Sequence, residues 1–470
     1  TYLIGTALDV VTGTILIGYR AVLKIKNSTN IHAIRIANDA DDITILGFDI
    51  DGNKANQTGG HGIVNGGTTS SRIRIEDCNI HDCHGDGISF NATTTEYALI
   101  QGNYSHDNGT VAVPGDGIGN RGGTLKNSSI VNNVCYENYR HNIGASTADH
   151  VTIADNICYN SLAFGDPGDH IISHGVNGTD IVVSGNVCRG GAGNGIHLGG
   201  TARLLITGNI VSGVTNTAIA VDESAVDVTV SGNVISTTTS LYGIWISGIN
   251  RFTVSGNTIN ATNSHGIFCN SSSVNGSITG NSVNRSVAGD GIRVNDTTQT
   301  VISGNVVVGN NSAGIELGGA SSGCSVIGNS CKDNANPFTE SGTATNNVIL
   351  GNDFVGNTSD APTLVTGSTK WRNNVDDGTI SFGLETYPLM SYGGYGFDGS
   401  TDYLDGNALT GVTDTKKGTF VWIGRFANAA GSIERLIDNT GTAFVVTREA
   451  DGNILVQGEN SAGTLILQFR

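Results

Sequence analysis

A Gly-Asn pair that returns at near-constant spacing restricts this chain more than any other feature. It stands at Gly185-Asn186, Gly208-Asn209, Gly232-Asn233, Gly256-Asn257, Gly280-Asn281, Gly304-Asn305, Gly328-Asn329 and Gly351-Asn352. From asparagine to asparagine the steps are 23, 24, 24, 24, 24, 24 and 23 residues. Weaker copies precede it at Asn156, Asn133 and Asn103, and alignment extends them to Cys78 and Phe48. A fixed period of this length means stacked units that each bury a face against the next.

Each repeat carries short runs of period two, hence strands. One precedes the Gly-Asn, as in Val228-Thr229-Val230, and an apolar residue follows two after the Asn. Roughly ten residues later comes a second run, such as Tyr242-Gly243-Ile244-Trp245-Ile246. No stretch of the repeats shows a sustained helical period. Two or three strands per turn, at about 24 residues a turn, predict an all-β parallel β-helix of about 13 coils over residues 1–375, with successive turns about 4.8 Å apart. The repeated Asn then falls at a bend, where it tolerates left-handed backbone and its amide can bond to the amide above. These asparagines are architectural, not catalytic.

The composition suits such a stack. Gly is 68 of 470 residues and Pro only 5, a turn-rich pattern rather than a disordered one. A net charge of −17 argues against nucleic acid as a partner. No apolar run is long enough to span a membrane. Of the eight cysteines, Cys135, Cys158 and Cys188 hold the inward position two after the Asn in successive coils and read as small core residues. Disulfides among them are the lesser alternative, and no Cys-x-x-Cys pair suggests zinc. The first residues, Thr1-Tyr2-Leu3-Ile4-Gly5, look like the middle of a first strand, which suggests that the natural start lies upstream.

On this repeat the chain resembles the right-handed parallel β-helix superfamily of pectate lyases, polygalacturonases, alginate epimerases and lyases, and phage tailspike depolymerases. The resemblance covers roughly residues 1–375 and is far more specific for fold than for reaction. It implies a polysaccharide substrate, an extracellular location (secreted or on a virion), and a homotrimer if the chain is tailspike-like. Residues 376–388 read as a linker. From 389 to 470 the chain changes character. Tyr395-Gly396-Phe397-Asp398-Gly399 and Gly418-Thr419-Phe420-Val421-Trp422 resemble the opening of a laminin-G or concanavalin-like β-sandwich that is incomplete here.

The steps before Asn186 are uneven: 30, 25, 30, 23 and 30 residues from Phe48. The excess must leave the stack as loops, and loops on a rigid scaffold commonly carry function. The site is therefore expected in coils 78 to 200. The residue before each Gly-Ile forms a column: Asp86, Asp116, His141, Asp169, Asn194, Thr217, Tyr242, His265, Asp290, Ala313. Outward positions after the Ile add Ser89 and Asn91, Gly119 and Arg121, Gly144 and Ser146, Ile172 and His174, His197 and Gly199. Candidate catalytic residues are Asp116, Arg121, His141, Asp169, His170, His174 and His197. Asp86, Gly119, Gly144, Asp166 and Asn194 are candidate substrate contacts, with the two glycines as a shallow floor for a sugar ring. Each Asp of the column has an ordinary alternative, a turn residue bonded to its own backbone.

Two chemistries fit these groups. Uronate lyases and epimerases need a base, a group that neutralises the carboxylate and a proton donor; Arg121, His141, His174 and His197 match that need. Hydrolysis needs two carboxyl groups, and Asp116 and Asp169, two coils or roughly 9.6 Å apart, suit inversion. Phe164-Gly165-Asp166-Pro167-Gly168-Asp169-His170 resembles a scrambled Asp-Pro-His-Asp/Glu signature of alginate C-5 epimerases, although here the His does not directly follow the Pro. Ser173-His174-Gly175 is similar to the polygalacturonase Gly-His-Gly, without the paired aspartates. Asp82, Asp86, Asp107 and Asp116 could hold Ca2+. A lyase or epimerase is the first expectation, a tailspike-like hydrolase the second, and a non-catalytic glycan-binding module the third.

Overall fold

The structure is a computed structural model. It describes residues 1–381 apart from 121, 163–167, 237–240, 360–361, 365–368 and 377–378, together with four strands between 433 and 469. The chain divides into two compact units, Thr1–Met390 and Ser391–Arg470. The first is a right-handed parallel β-solenoid of about 15 turns, slightly more than the repeat count suggests. In the second, Ile433–Asn439, Thr442–Arg448, Ile454–Asn460 and Leu465–Phe469 form a four-stranded antiparallel sheet. The two stretches likened to a sandwich opening, around Phe397 and Trp422, lie outside the described residues. Among the described residues no helix is long and apolar enough to cross a membrane.

Each regular turn contributes three strands. The turn after Asn233 uses Val234–Ser236, Ile244–Ser247 and Asn250–Ser255, each paired in parallel with its equivalent one turn on. The register keeps like over like. Ile88, Ile118, Ile143, Ile171, Ile196, Ile219, Ile244, Ile267, Ile292 and Ile315 form one buried row. Cys135, Cys158 and Cys188 stack in another, as free thiols. Burial of such rows is the main stabilising contribution, since a single turn cannot enclose its own apolar face.

The asparagine ladder forms as expected, with one correction. Asn257 Oδ1 accepts both the backbone N–H and the side-chain amide of Asn233, each at 2.9 Å. The Asn257 amide in turn donates to Val230 O and Asn281 Oδ1. This continues from Asn103 to Asn374. The left-handed backbone, however, falls on the preceding residue: Gly232 has φ +62° and Gly256 φ +62°. The Asn points inward to satisfy buried backbone groups, so the residue before it must make the bend, and glycine does so without a Cβ penalty. A second ladder lies five residues further on and joins Asn310, Asn334 and Asn357.

Candidate functional site

The expected column exists, and its members act first on the stack itself. Asp86 Oδ1 accepts the backbone N–H of Asp116 at 2.8 Å, and Asp116 Oδ1 that of His141 at 3.1 Å. His141 Nδ1 accepts the N–H of Asp169, and Asp169 Oδ1 that of Asn194 at 2.6 Å. Asn194 Oδ1 accepts the N–H of Thr217. The turn-residue alternative was right about a structural role but wrong about the partner: each side chain bonds the next turn's backbone. Asp, Asn and His all offer an acceptor at this reach, which is why those types recur there.

These bonds leave several of the expected residues with other roles. Asp86 is fully buried and its other oxygen accepts the Ser89 hydroxyl at 2.7 Å, so it does not reach the surface. Gly119 and Gly144 are no open floor. A Cβ on them would stand 2.7 and 3.0 Å from Asp116 Oδ2, so the glycines make room for that carboxylate. His170 points inward, fully buried. Its Nδ1 accepts from the Asn142 amide at 2.9 Å and its Nε2–H donates to Gly190 O at 2.8 Å. Burial pushes its pKa down to about 4, leaving a neutral structural ring. The four aspartates proposed for Ca2+ face different partners: Asp82 pairs with His81 and Lys54, Asp107 with His106, and Asp86 and Asp116 with the column. Arg121 and Asp166 lie outside the described residues.

His174 and His197 are brought together on the outward face. Their rings meet edge to face with centroids 3.9 Å apart. His197 Nδ1 is 3.2 Å from Asp169 Oδ2 and its Nε2 is 3.2 Å from Asp222 Oδ2. Burial opposes a charge on His197, but the two carboxylates outweigh it and push its pKa up to about 9. His174 Nδ1 is 3.0 Å from Glu223 Oε1. Donor atoms of His174, His197 and Asp222 lie within 4.8 Å of one another, as do those of Asp51, His81 and Asp82. In the latter group Asp51 and Asp82 are already neutralised by Lys24 and Lys54.

Further along the same face lies a cluster that the sequence reading passed over. The outward row runs His197, Ala220, Trp245, Phe268, Arg293, Glu316. Tyr242 stacks on His265 at 5.6 Å and meets Phe268 at 4.8 Å, all half-buried. On the next turn Arg293 reaches both Asp290 (3.6 Å) and Glu316 (3.3 Å), while His265 Nδ1 is 3.3 Å from Asp290 Oδ2. The Ser341 hydroxyl donates to Glu316 at 2.6 Å. Burial first, and then the neighbouring Asp290 charge, holds the Glu316 carboxyl above the usual range, against the pull of Ser341 and Arg293. Burial works the same way on Asp290. There the neighbouring His265, Ser312 and Glu316 groups prevail and bring it down to about 2. The signal was present in the sequence: these are the same offsets from the repeated Ile, read further up the stack. Asp222 likewise continues the row Ser146, His174, Gly199.

The family model described as right handed beta helix region matches residues 169–331. No curated protein matches the chain. Among solved structures, the A-module of the Azotobacter vinelandii mannuronan C-5 epimerase AlgE6 is 15% identical, with 79% of this chain and 87% of that one covered at a TM-score of 0.32. Pre-mature gene product 12 of bacteriophage phi29 is 14% identical, covering 82% of this chain and 54% of that one at 0.47. A tailspike protein of the E. coli bacteriophage HK620, in complex with a pentasaccharide, is 10% identical over 70% and 74% at 0.43. Similarity at this level carries no reaction or substrate to the present chain.

Proposed function

We propose that the protein is a polysaccharide-active enzyme whose sugar track is the outward face running from His174 to Glu316. The observation that carries this reading is an aromatic platform continued on the next turns by a carboxyl pair, Asp290 and Glu316, that Arg293 bridges. Tyr242, Trp245 and Phe268 offer ring faces against which the apolar face of a sugar can pack. One turn beyond Phe268, Asp290 is biased toward the carboxylate, and two turns beyond it Glu316 toward its protonated form. Environments that push two carboxyl groups apart assign an acid and its charged partner. Glu316 is the general acid that protonates a glycosidic oxygen. Asp290, 1% exposed, acts through Glu316 as a positioning residue. Glu316 supplies the acid half of glycoside hydrolysis, which also needs a carboxylate on the far side of the sugar to activate water; the work place is extracellular, secreted or on a virion, with a homotrimer as a further expectation.

A second reading, uronate lyase or C-5 epimerase, is favoured by the meeting of His174 and His197 with carboxylates behind both rings. The two imidazoles would supply the base and the group that neutralises the uronate carboxylate.

One panel of neutral and uronic-acid polysaccharides tests both. New reducing ends that Glu316→Gln loses support hydrolysis. Ultraviolet absorbance from an unsaturated product, lost in His174→Ala and retained in Glu316→Gln, supports elimination instead; proton exchange at C-5 without chain cleavage supports epimerisation. Binding without turnover, weakened by Trp245→Ala, would overturn both in favour of a glycan-binding module.

A further inference from the structure

His174, His197 and Asp222 come from three successive turns. The register sets Gly199 between His174 and Asp222 in one row, and His197 lies two residues before Gly199 on the same face. Any side chain at 199 would fill the space between them. A Cβ there would stand 2.7 Å from Asp222 Oδ1 and 3.0 Å from Glu223 Oε2. One donor atom from each of the three residues lies within 4.8 Å of the others, and His197 Nε2 is 3.2 Å from Asp222 Oδ2. Ligand atoms about 2.1 Å from a tetrahedral ion stand roughly 3.4 Å apart, so the cluster needs only small side-chain adjustments to close on one.

The surroundings are those of a metal centre as well. Each imidazole has a carboxylate on Nδ1: Asp169 Oδ2 at 3.2 Å for His197 and Glu223 Oε1 at 3.0 Å for His174. Such a partner fixes the ring's orientation, and an ion would bind at Nε2 by displacing its proton. Two polar atoms inside the cluster, His174 Nε2 and Asp222 Oδ1, are buried with no hydrogen-bond partner. Buried polar atoms are seldom left so, and an ion would satisfy both.

We infer that His174, His197 and Asp222 form a site for a divalent transition-metal ion such as Zn2+, held by two imidazoles and one carboxylate, with Asp169 and Glu223 as positioning residues. Two nitrogen donors and a single carboxylate suit Zn2+, Co2+ or Mn2+, whereas Ca2+ takes six to eight oxygens. Three protein ligands leave a position open to water or substrate. The site stands on its donor set and does not depend on either reading of the reaction. When filled, it would occupy both imidazoles of the second reading and leave Glu316 untouched.

The test is a titration of the chelator-treated full chain with Zn2+ by calorimetry and with Co2+ by visible spectroscopy. We expect a single saturating equivalent and Co2+ bands of a nitrogen-oxygen site without thiolate charge transfer. His174→Ala and Asp222→Ala should abolish both signals. Glu223→Gln, whose carboxylate is half exposed and whose loss should leave the stack folded, should weaken binding about 10- to 100-fold. Circular dichroism confirms that each variant is folded. No binding by the unaltered chain, binding unchanged in folded His174→Ala, thiolate bands that mark the buried cysteines as ligands, or binding of Ca2+ alone would each overturn the inference.

Discussion

His170 accepts the Asn142 amide at 2.9 Å on its Nδ1, at the step where the turns on either side carry Gly117 and Gly195. Two turns of the stack thus replace a glycine pair with a buried polar pair, and the neutral ring is the price of it. Burial holds the His170 pKa at about 4 against 6.5 when free.

The sign of the pH effect follows. The folded pKa lies below the unfolded one, so the stabilising preference for neutral His170 is fully present above about pH 6.5 and is lost as pH falls toward 4. At its limit the loss is about 3 kcal/mol. Urea unfolding followed from pH 7.5 to 4.5 should show it, and His170→Gln should flatten that slope. An unchanged slope would show that the ring accepts a proton without cost.

Glu316 leads to the opposite dependence in activity. Its carboxyl is raised, so the protonated acid persists to higher pH than in a free glutamate, and turnover should fall as pH rises through its pKa. Glu316→Gln should lose about 10²- to 10⁴-fold in kcat while binding polymer as before. Initial rates against pH, with reducing-end release as the readout, check both.

The ladder should be sensitive at single steps. Asn257→Ala removes the acceptor for the Asn233 backbone N–H and leaves that group buried without a partner. A loss of about 2–3 kcal/mol is expected. Hydrogen exchange should show the effect concentrated on the turns around 233 to 281, because stability in a stack is shared between neighbours. Equal protection losses at Asn103 would contradict this.

The thiols should be silent while the stack is intact. All eight cysteines are buried and unpaired, and burial raises Cys78 to about 11 and Cys135 higher still. A thiol reagent should therefore label none until denaturant is added and then label all eight. Rapid native labelling of Cys135, Cys158 or Cys188 would mean that the turns open locally.

The repeat alone determined the architecture. A 24-residue period with alternating apolar residues can bury its faces only by stacking, so the Ile row, the Cys row and the asparagine ladder were all legible before any coordinates. The column from Asp86 to Ala313 was legible too, in correct order and register. What the side chains in it do was not. The sequence shows that Asp116 follows Asp86 by one turn. It does not show that one oxygen of each is taken by a backbone N–H, that Asp116 lies across Gly119 and Gly144, or that His170 turns inward while His174 turns outward four residues later. Those outcomes depend on which buried groups need partners, a matter settled by three-dimensional neighbours rather than by spacing. Uneven early steps drew attention to coils 78 to 200, yet the even turns above them bring Trp245, Phe268, Asp290 and Glu316 into one cluster. A regular stack aligns side chains from turns 24 residues apart at a few ångströms, and only the tertiary structure decides which of those alignments leave a polar atom exposed, paired or waiting for a ligand.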